Sequence, residues 1–109
     1  MNRVGLLATL EARAGKEAEV AAFLESARPF VEAETYTTSW YSFRLGPTTF
    51  GIFDTFRDEK GRAAHVNGEV AKALFSRAEE LFATPPRIQN VDILAEKLDR
   101  TLTSPASHH

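Results

Sequence analysis

The sequence predicts an α+β protein, a ferredoxin-like plait with the order β-α-β-β-α-α-β and a four-stranded antiparallel sheet carrying its helices on one face. Three observations carry that reading. Thr37 to Leu45 and Thr48 to Phe56, dense in Thr, Trp, Tyr, Phe and Ile and split by Gly46-Pro47, form a hairpin in mid-chain. Apolar residues at three- and four-residue spacing flank it on both sides. Strand-like apolar alternation appears near both ends.

Val4 to Ala12 reads as the first strand, with Val4, Leu6, Ala8 and Leu10 on one face, and Ala14-Gly15 breaks it. Lys16 to about Glu34 reads as helix, striped by Val20, Phe23, Leu24, Ala27 and Val31, while Glu17, Glu19 and Glu25 face outward. Pro29 removes a helical hydrogen bond, so a kink or break falls near Ala27-Arg28. Between the hairpin strands, Gly46 suits the left-handed first position of a two-residue type II′ turn and Pro47 the second. A short helix over Glu59 to Val66 stops at Asn67-Gly68, and a longer one runs from Glu69 to Phe82, ended by Pro85-Pro86. Ile88 to Leu98 closes the sheet. Residues 1–98 form one domain and residues 99–109, ending in His108-His109, a flexible tail.

Composition narrows the function. The 109 residues carry 13 Lys and Arg against 15 Asp and Glu, a net charge of −2 without a basic run, which argues against nucleic-acid and membrane-surface partners. Without cysteine there is no disulfide, thiolate metal site, iron–sulfur cluster or cysteine nucleophile. Of the three histidines only His65 lies in the body, so one subunit lacks the multi-histidine set of most zinc, copper or non-haem iron sites, and any chemistry is metal-free, uses a borrowed cofactor or draws on a second copy of the chain. No apolar stretch has signal-peptide or membrane-spanning length, which makes the cytoplasm the expected location.

Both faces of the sheet carry large apolar groups. Tyr41, Phe43 and Leu45 oppose Trp40, Phe53 opposes Phe50, Ile52 and Phe56, and Leu7 opposes Leu6 and Leu10. One helical layer covers one face. Burial of each large side chain is worth about 1.5–3 kcal/mol, so the uncovered face favours a homodimer packed sheet on sheet.

Ala64-His65-Val66 follows the Phe50-to-Phe56 strand after a short acidic link, and Val91 to Leu98 closes the chain. In these features, and in its length, the chain from Val4 to Leu98 resembles the antibiotic biosynthesis monooxygenase family. The resemblance implies a dimeric α+β barrel with a pocket between sheet and helices in each subunit. It also implies oxidation of an aromatic phenol, anthrone or quinol by dioxygen without metal or flavin. Such a substrate, once deprotonated, can pass an electron to dioxygen itself, so the protein supplies a base, oxyanion donors and a dry cavity.

His65 is then the acid/base residue, with a pKa ordinarily near ~6.5. Trp40, Tyr41, Arg44, Phe53 and Asn67 are the candidate substrate contacts. Trp40 and Tyr41 are consecutive on a strand and face opposite ways, so only one can line a given side. Arg44 shares Trp40's face and suits an anionic oxygen. Each residue also has a plainer reading. His65 could satisfy a helix end near Gly68, the aromatics could be packing, and Arg62 and Asn67 could be surface. Asp54 is either a solvated strand-end residue or a buried carboxylate paired with Arg44 or Arg57. The haem-degrading branch of the family is disfavoured: Phe56 stands where it has tryptophan, and no histidine follows late in the next helix. The alternative to an oxygenase is a dimeric small-molecule-binding or stress-associated protein without turnover.

Overall fold

Alternating burial on the strands and apolar stripes on the helices direct both toward one layer of contact. In the computed structural model, which describes residues 2–99, the elements are β1 (Val4–Glu11), α1 (Glu17–Ser26), α2 (Arg28–Glu32), β2 (Ser39–Arg44), β3 (Thr49–Phe56), α3 (Glu59–Val66), α4 (Glu69–Ser76), α5 (Ala78–Leu81) and β4 (Arg87–Asp92). The sheet order is β2-β3-β1-β4 and every pairing is antiparallel. The expected α+β ferredoxin-like architecture is the observed one.

Both expected helical runs are divided. The first breaks at Ala27, and Pro29 sits in the opening turn of α2, where its missing N–H costs nothing. The second breaks at Arg77, between α4 and α5. The tight turn at Ala14-Gly15 uses the one left-handed residue among those described, Gly15 at φ 84°.

Two expectations are corrected. The Gly46-Pro47 connection is not a type II′ turn, because Gly46 has no positive φ. Leu45 N and Gly46 N both donate to Thr49 O at 2.8 and 3.3 Å, which closes a longer loop without a left-handed residue. The Arg44 guanidinium satisfies the loop carbonyls of Gly46 and Pro47 at 3.1 and 2.7 Å. The last strand ends at Asp92 rather than Leu98, because its partner β1 begins at Val4, opposite Asp92. One further bond, Ile93 N to Arg3 O at 3.0 Å, completes the ladder, and Leu94 beyond it is 94% exposed. The expected tail lies, apart from Asp99, outside the described residues.

The core fills the space between the helices and one sheet face, with Leu10, Val20, Leu24, Phe50, Leu74, Leu81 and Phe82 buried together. The opposite face carries the row Leu7–Phe53–Tyr41 across β1, β3 and β2. Two glycines let aromatic rings lie flat on that face. A Cβ on Gly51 would come 2.5 Å from the Phe43 ring, and one on Gly5 would come 3.2 Å from the Phe53 ring.

Candidate active site

α3 starts where the Asp58 side chain accepts a hydrogen bond from Gly61 N at 2.9 Å, a local cap that fixes the helix over β1 and β3. Its next-to-last residue, His65, thereby points at the sheet and is only 7% exposed. Its Nε2 lies 2.9 Å from Asp54 Oδ2 and its Nδ1 2.7 Å from Glu34 Oε1. The Phe56 ring stands 5.3 Å away, tilted by 42°. The imidazole is thus clamped at both nitrogens by buried carboxylates.

Each carboxylate has its own support. Thr37 Oγ1 donates to Glu34 Oε1 at 2.7 Å. Asp54 lies in the buried alternation of β3, facing Leu6 on β1 and Trp40 on β2 in the ladder. Its Oδ1 is buried without a hydrogen-bond partner among the described residues, and so is Trp40 Nε1. An uncompensated buried polar atom is costly, so the orphaned Oδ1 marks a place where a donor would be welcome.

Electrostatics follow from the same geometry. Burial is the largest single influence on His65 and pushes its pKa down. The hydrogen bond and charge of Asp54, then those of Glu34, act the other way, and together they lift it above the ordinary value. The Tyr36 hydroxyl is pushed up by burial first, then by the charge and hydrogen bond of Glu34 and the charge of Glu69. A carboxylate–imidazole–carboxylate chain therefore runs from the sheet to the loop before β2, with Tyr36 beside its outer end.

A cavity of about 60 Å³ lies above this chain, under α4. Asp54 and His65 are its ionisable lining, and Leu6, Ile52, Leu74 and Ile88 are among its apolar walls. Among the described residues no group of three or more His, Cys, Asp or Glu side chains is arranged to hold a metal ion, and no helix is long and apolar enough to cross a membrane.

Of the site residues expected from sequence, His65 and Trp40 share the helix-covered face, both next to Asp54. Tyr41 and Phe53 face each other on the opposite side of the sheet, and Tyr41 is 58% exposed. Arg44 is an exposed hairpin residue that covers the Phe50 ring at 4.9 Å. Asn67 is exposed and donates from its side chain to Ala63 O at 2.9 Å. The proposed pairing of Asp54 with Arg44 or Arg57 is corrected, since its partner is His65. Arg62, read as surface, is buried, bonded to Glu59 and to the carbonyls of Gly5 and Val91 at 3.2 and 3.3 Å. Its guanidinium ties α3 to the sheet.

Glu34, Thr37 and Tyr36 were not singled out from the sequence. One signal was there for Glu34: it falls three residues past Val31, on the stripe that Val20, Leu24 and Ala27 begin. Asp54 likewise interrupts the buried alternation of Ile52 and Phe56 with a charge.

No family model matches the chain, and no curated protein matches it. Among solved structures it is similar to the NE2512 protein of Nitrosomonas europaea, a protein of unknown function, at 48% identity and a TM-score of 0.88, over 91% of this chain and 96% of that one. It also overlays candidate antibiotic biosynthesis monooxygenases. One from Caulobacter crescentus has 18% identity and a TM-score of 0.74, with 86% of this chain and 92% of that one covered. Another, from Bordetella bronchiseptica, has 15% identity and a TM-score of 0.71, with 87% and 100% covered. At those identities the likeness is one of fold, and at that level the resemblance read from the sequence holds. With close to half its residues shared along nearly its whole length, the chain belongs to the family of the Nitrosomonas europaea NE2512 protein, on the fold of the antibiotic biosynthesis monooxygenases.

Proposed function

We propose that this protein is a cytoplasmic homodimer that binds a neutral aromatic phenol, anthrone or quinol on the helix side of its sheet and oxidises it with dioxygen. The observation that carries the reading is the orphaned Oδ1 of Asp54, a residue that together with His65 lines a mostly apolar cavity and whose Oδ2 is held by His65. A substrate hydroxyl, or the acidic C–H of an anthrone, gives its proton to Oδ1. Asp54 thus takes the role expected of His65, whose two nitrogens are already engaged. His65 becomes the residue that holds Asp54 in place and spreads the charge toward Glu34.

The remaining chemistry belongs to the substrate. The carbanion of an anthrone passes one electron to dioxygen, and superoxide recombines with the radical as a peroxide. The stored proton returns to that peroxide, and loss of water leaves the quinone. One substrate and one dioxygen give one quinone and one water.

Oxygen uptake with a panel of hydroquinones and anthrones tests the proposal. Uptake that falls at least about a hundredfold in Asp54→Asn is the expected result for loss of a general base. Turnover unchanged in that variant overturns the mechanism.

A second reading, ligand binding without turnover, is favoured by the double engagement of the imidazole, which leaves no free nitrogen for acid/base work. Thermal stabilisation by the same ligands without oxygen uptake is its signature.

A further inference from the structure

The cavity at Asp54, about 60 Å³, is too small for an aromatic ring; a cavity of about 150 Å³ is what takes a single benzene. A second hollow of about 200 Å³ lies between α1, α2 and α4. Phe23, Ala27, Phe30 and Ala73 give it apolar walls, with Ser26 and Glu69 as its polar lining. Val70 is the one residue common to the linings of both hollows. Its side chain is buried against Ala27, Val31 and Trp40. Phe30, by contrast, leaves 64% of its surface in solvent although it lines the second hollow.

We infer that the two hollows are parts of one ligand site divided by Val70. A fused-ring aromatic lies against Phe23 and Phe30, and its hydroxyl-bearing edge reaches past Val70 to Asp54. This rests on the phenolic reading above and extends it to ligand size. The sizes match the division: the outer hollow holds rings, and the inner one holds a hydroxyl and little more. The charges select as well. Glu69 lines one hollow and Asp54 the other, so a neutral ring system is admitted and a carboxylate or sulfonate is repelled. Val70, stiff at χ1 by its branching, sets how far a ligand enters and is thereby a specificity-determining residue.

The test is binding of 2-naphthol and of 2-methoxynaphthalene, which lacks the donor hydrogen, to the full chain and to variants. The wild type should prefer 2-naphthol by about tenfold or more, the worth of one well-placed hydrogen bond. Ala73→Phe, which fills the outer hollow, should weaken 2-naphthol at least about tenfold. Ser26→Phe fills it from the facing wall and should do the same, so a folding defect in either variant leaves the other to decide. Val70→Ala should tighten 2-naphthol relative to the wild type. Preference for 2-naphthol with no effect of either filling variant overturns the joined site and leaves the phenolic reading standing. Equal affinity for both probes, lowered by the filling variants, shows a ring pocket that does not reach Asp54 and overturns the junction at Val70. Binding of neither probe overturns both readings.

Discussion

His65 Nδ1 and Glu34 Oε1 meet at 2.7 Å across thirty-one positions of sequence, joining the end of α3 to the loop before β2. The other nitrogen joins α3 to β3 through Asp54. One imidazole therefore ties a helix, a strand and a loop together through its two donor positions, and the cation that satisfies both carboxylates is the protonated ring. The same arrangement leaves Asp54 Oδ1 without a hydrogen-bond partner among the described residues.

Removing the ring should cost more than removing either charge at its ends. His65→Ala leaves two carboxylates buried without their shared cation, a loss of about 3–5 kcal/mol. Glu34→Gln keeps an acceptor for Nδ1 and should cost about 1–3 kcal/mol. Urea unfolding of the variants measures the difference. Equal midpoints for the two would mean that the imidazole carries no charge in the folded protein.

The pH dependence has a definite sign. His65 is held above its ordinary value in the folded state. Its contribution to stability is complete below the unfolded-chain value of about 6.5 and is lost as pH rises through the folded value. Urea midpoints of the wild type should therefore fall as pH rises above about 6.5, and those of His65→Gln should fall less over the same rise. A wild-type midpoint that climbs with pH there would contradict the buried imidazolium.

What the sequence made legible was local. α3 runs from Glu59 to Val66 as expected, because Asp58 caps it and Asn67-Gly68 ends it, both within a few residues of the helix. Strand faces were legible because period two needs no partner. The Asp54–His65–Glu34 chain was not, since its members come from three elements whose contact depends on the finished packing. An acidic residue at the end of an amphipathic helix reads as solvated, and only its place on the stripe of Val31 sets Glu34 apart. Arg62 shows the same limit: its burial comes from carbonyls of Gly5 and Val91, far from it in sequence.

Two glycines on the outer face should respond unequally to a methyl group. At Gly5 the added Cβ would stand 2.7 Å from the backbone oxygen of Asp54, which the β1–β3 ladder fixes. At Gly51 the nearest atoms belong to the Phe43 ring, at 2.5 Å, and that side chain can turn aside. Gly5→Ala should therefore cost about 1–3 kcal/mol as overpacking, and Gly51→Ala less. Thermal melts of the two variants test the order, and a larger loss at Gly51 would show that Phe43 is itself pinned.

The last prediction concerns that outer face as a partner surface. Leu7, Phe53 and Tyr41 form one row across three strands, with Phe43 beside it over Gly51. No helix among those described covers them, and Tyr41 and Leu45 are 58% and 66% exposed. Each such side chain withdrawn from water contributes about 1.5–3 kcal/mol, so a few of them on each of two copies can offset the entropy lost on association. Phe53 lies at the middle of the row, where a lysine would bring a charge into the interface and face its counterpart or the partner's apolar surface. Sedimentation at micromolar concentration should give twice the chain mass for the wild type and the single mass for Phe53→Lys, with Glu25→Lys on the solvent side of α1 as the unaffected control. A monomeric wild type, or a dimer that survives Phe53→Lys, would show that the second copy does not pack on this face.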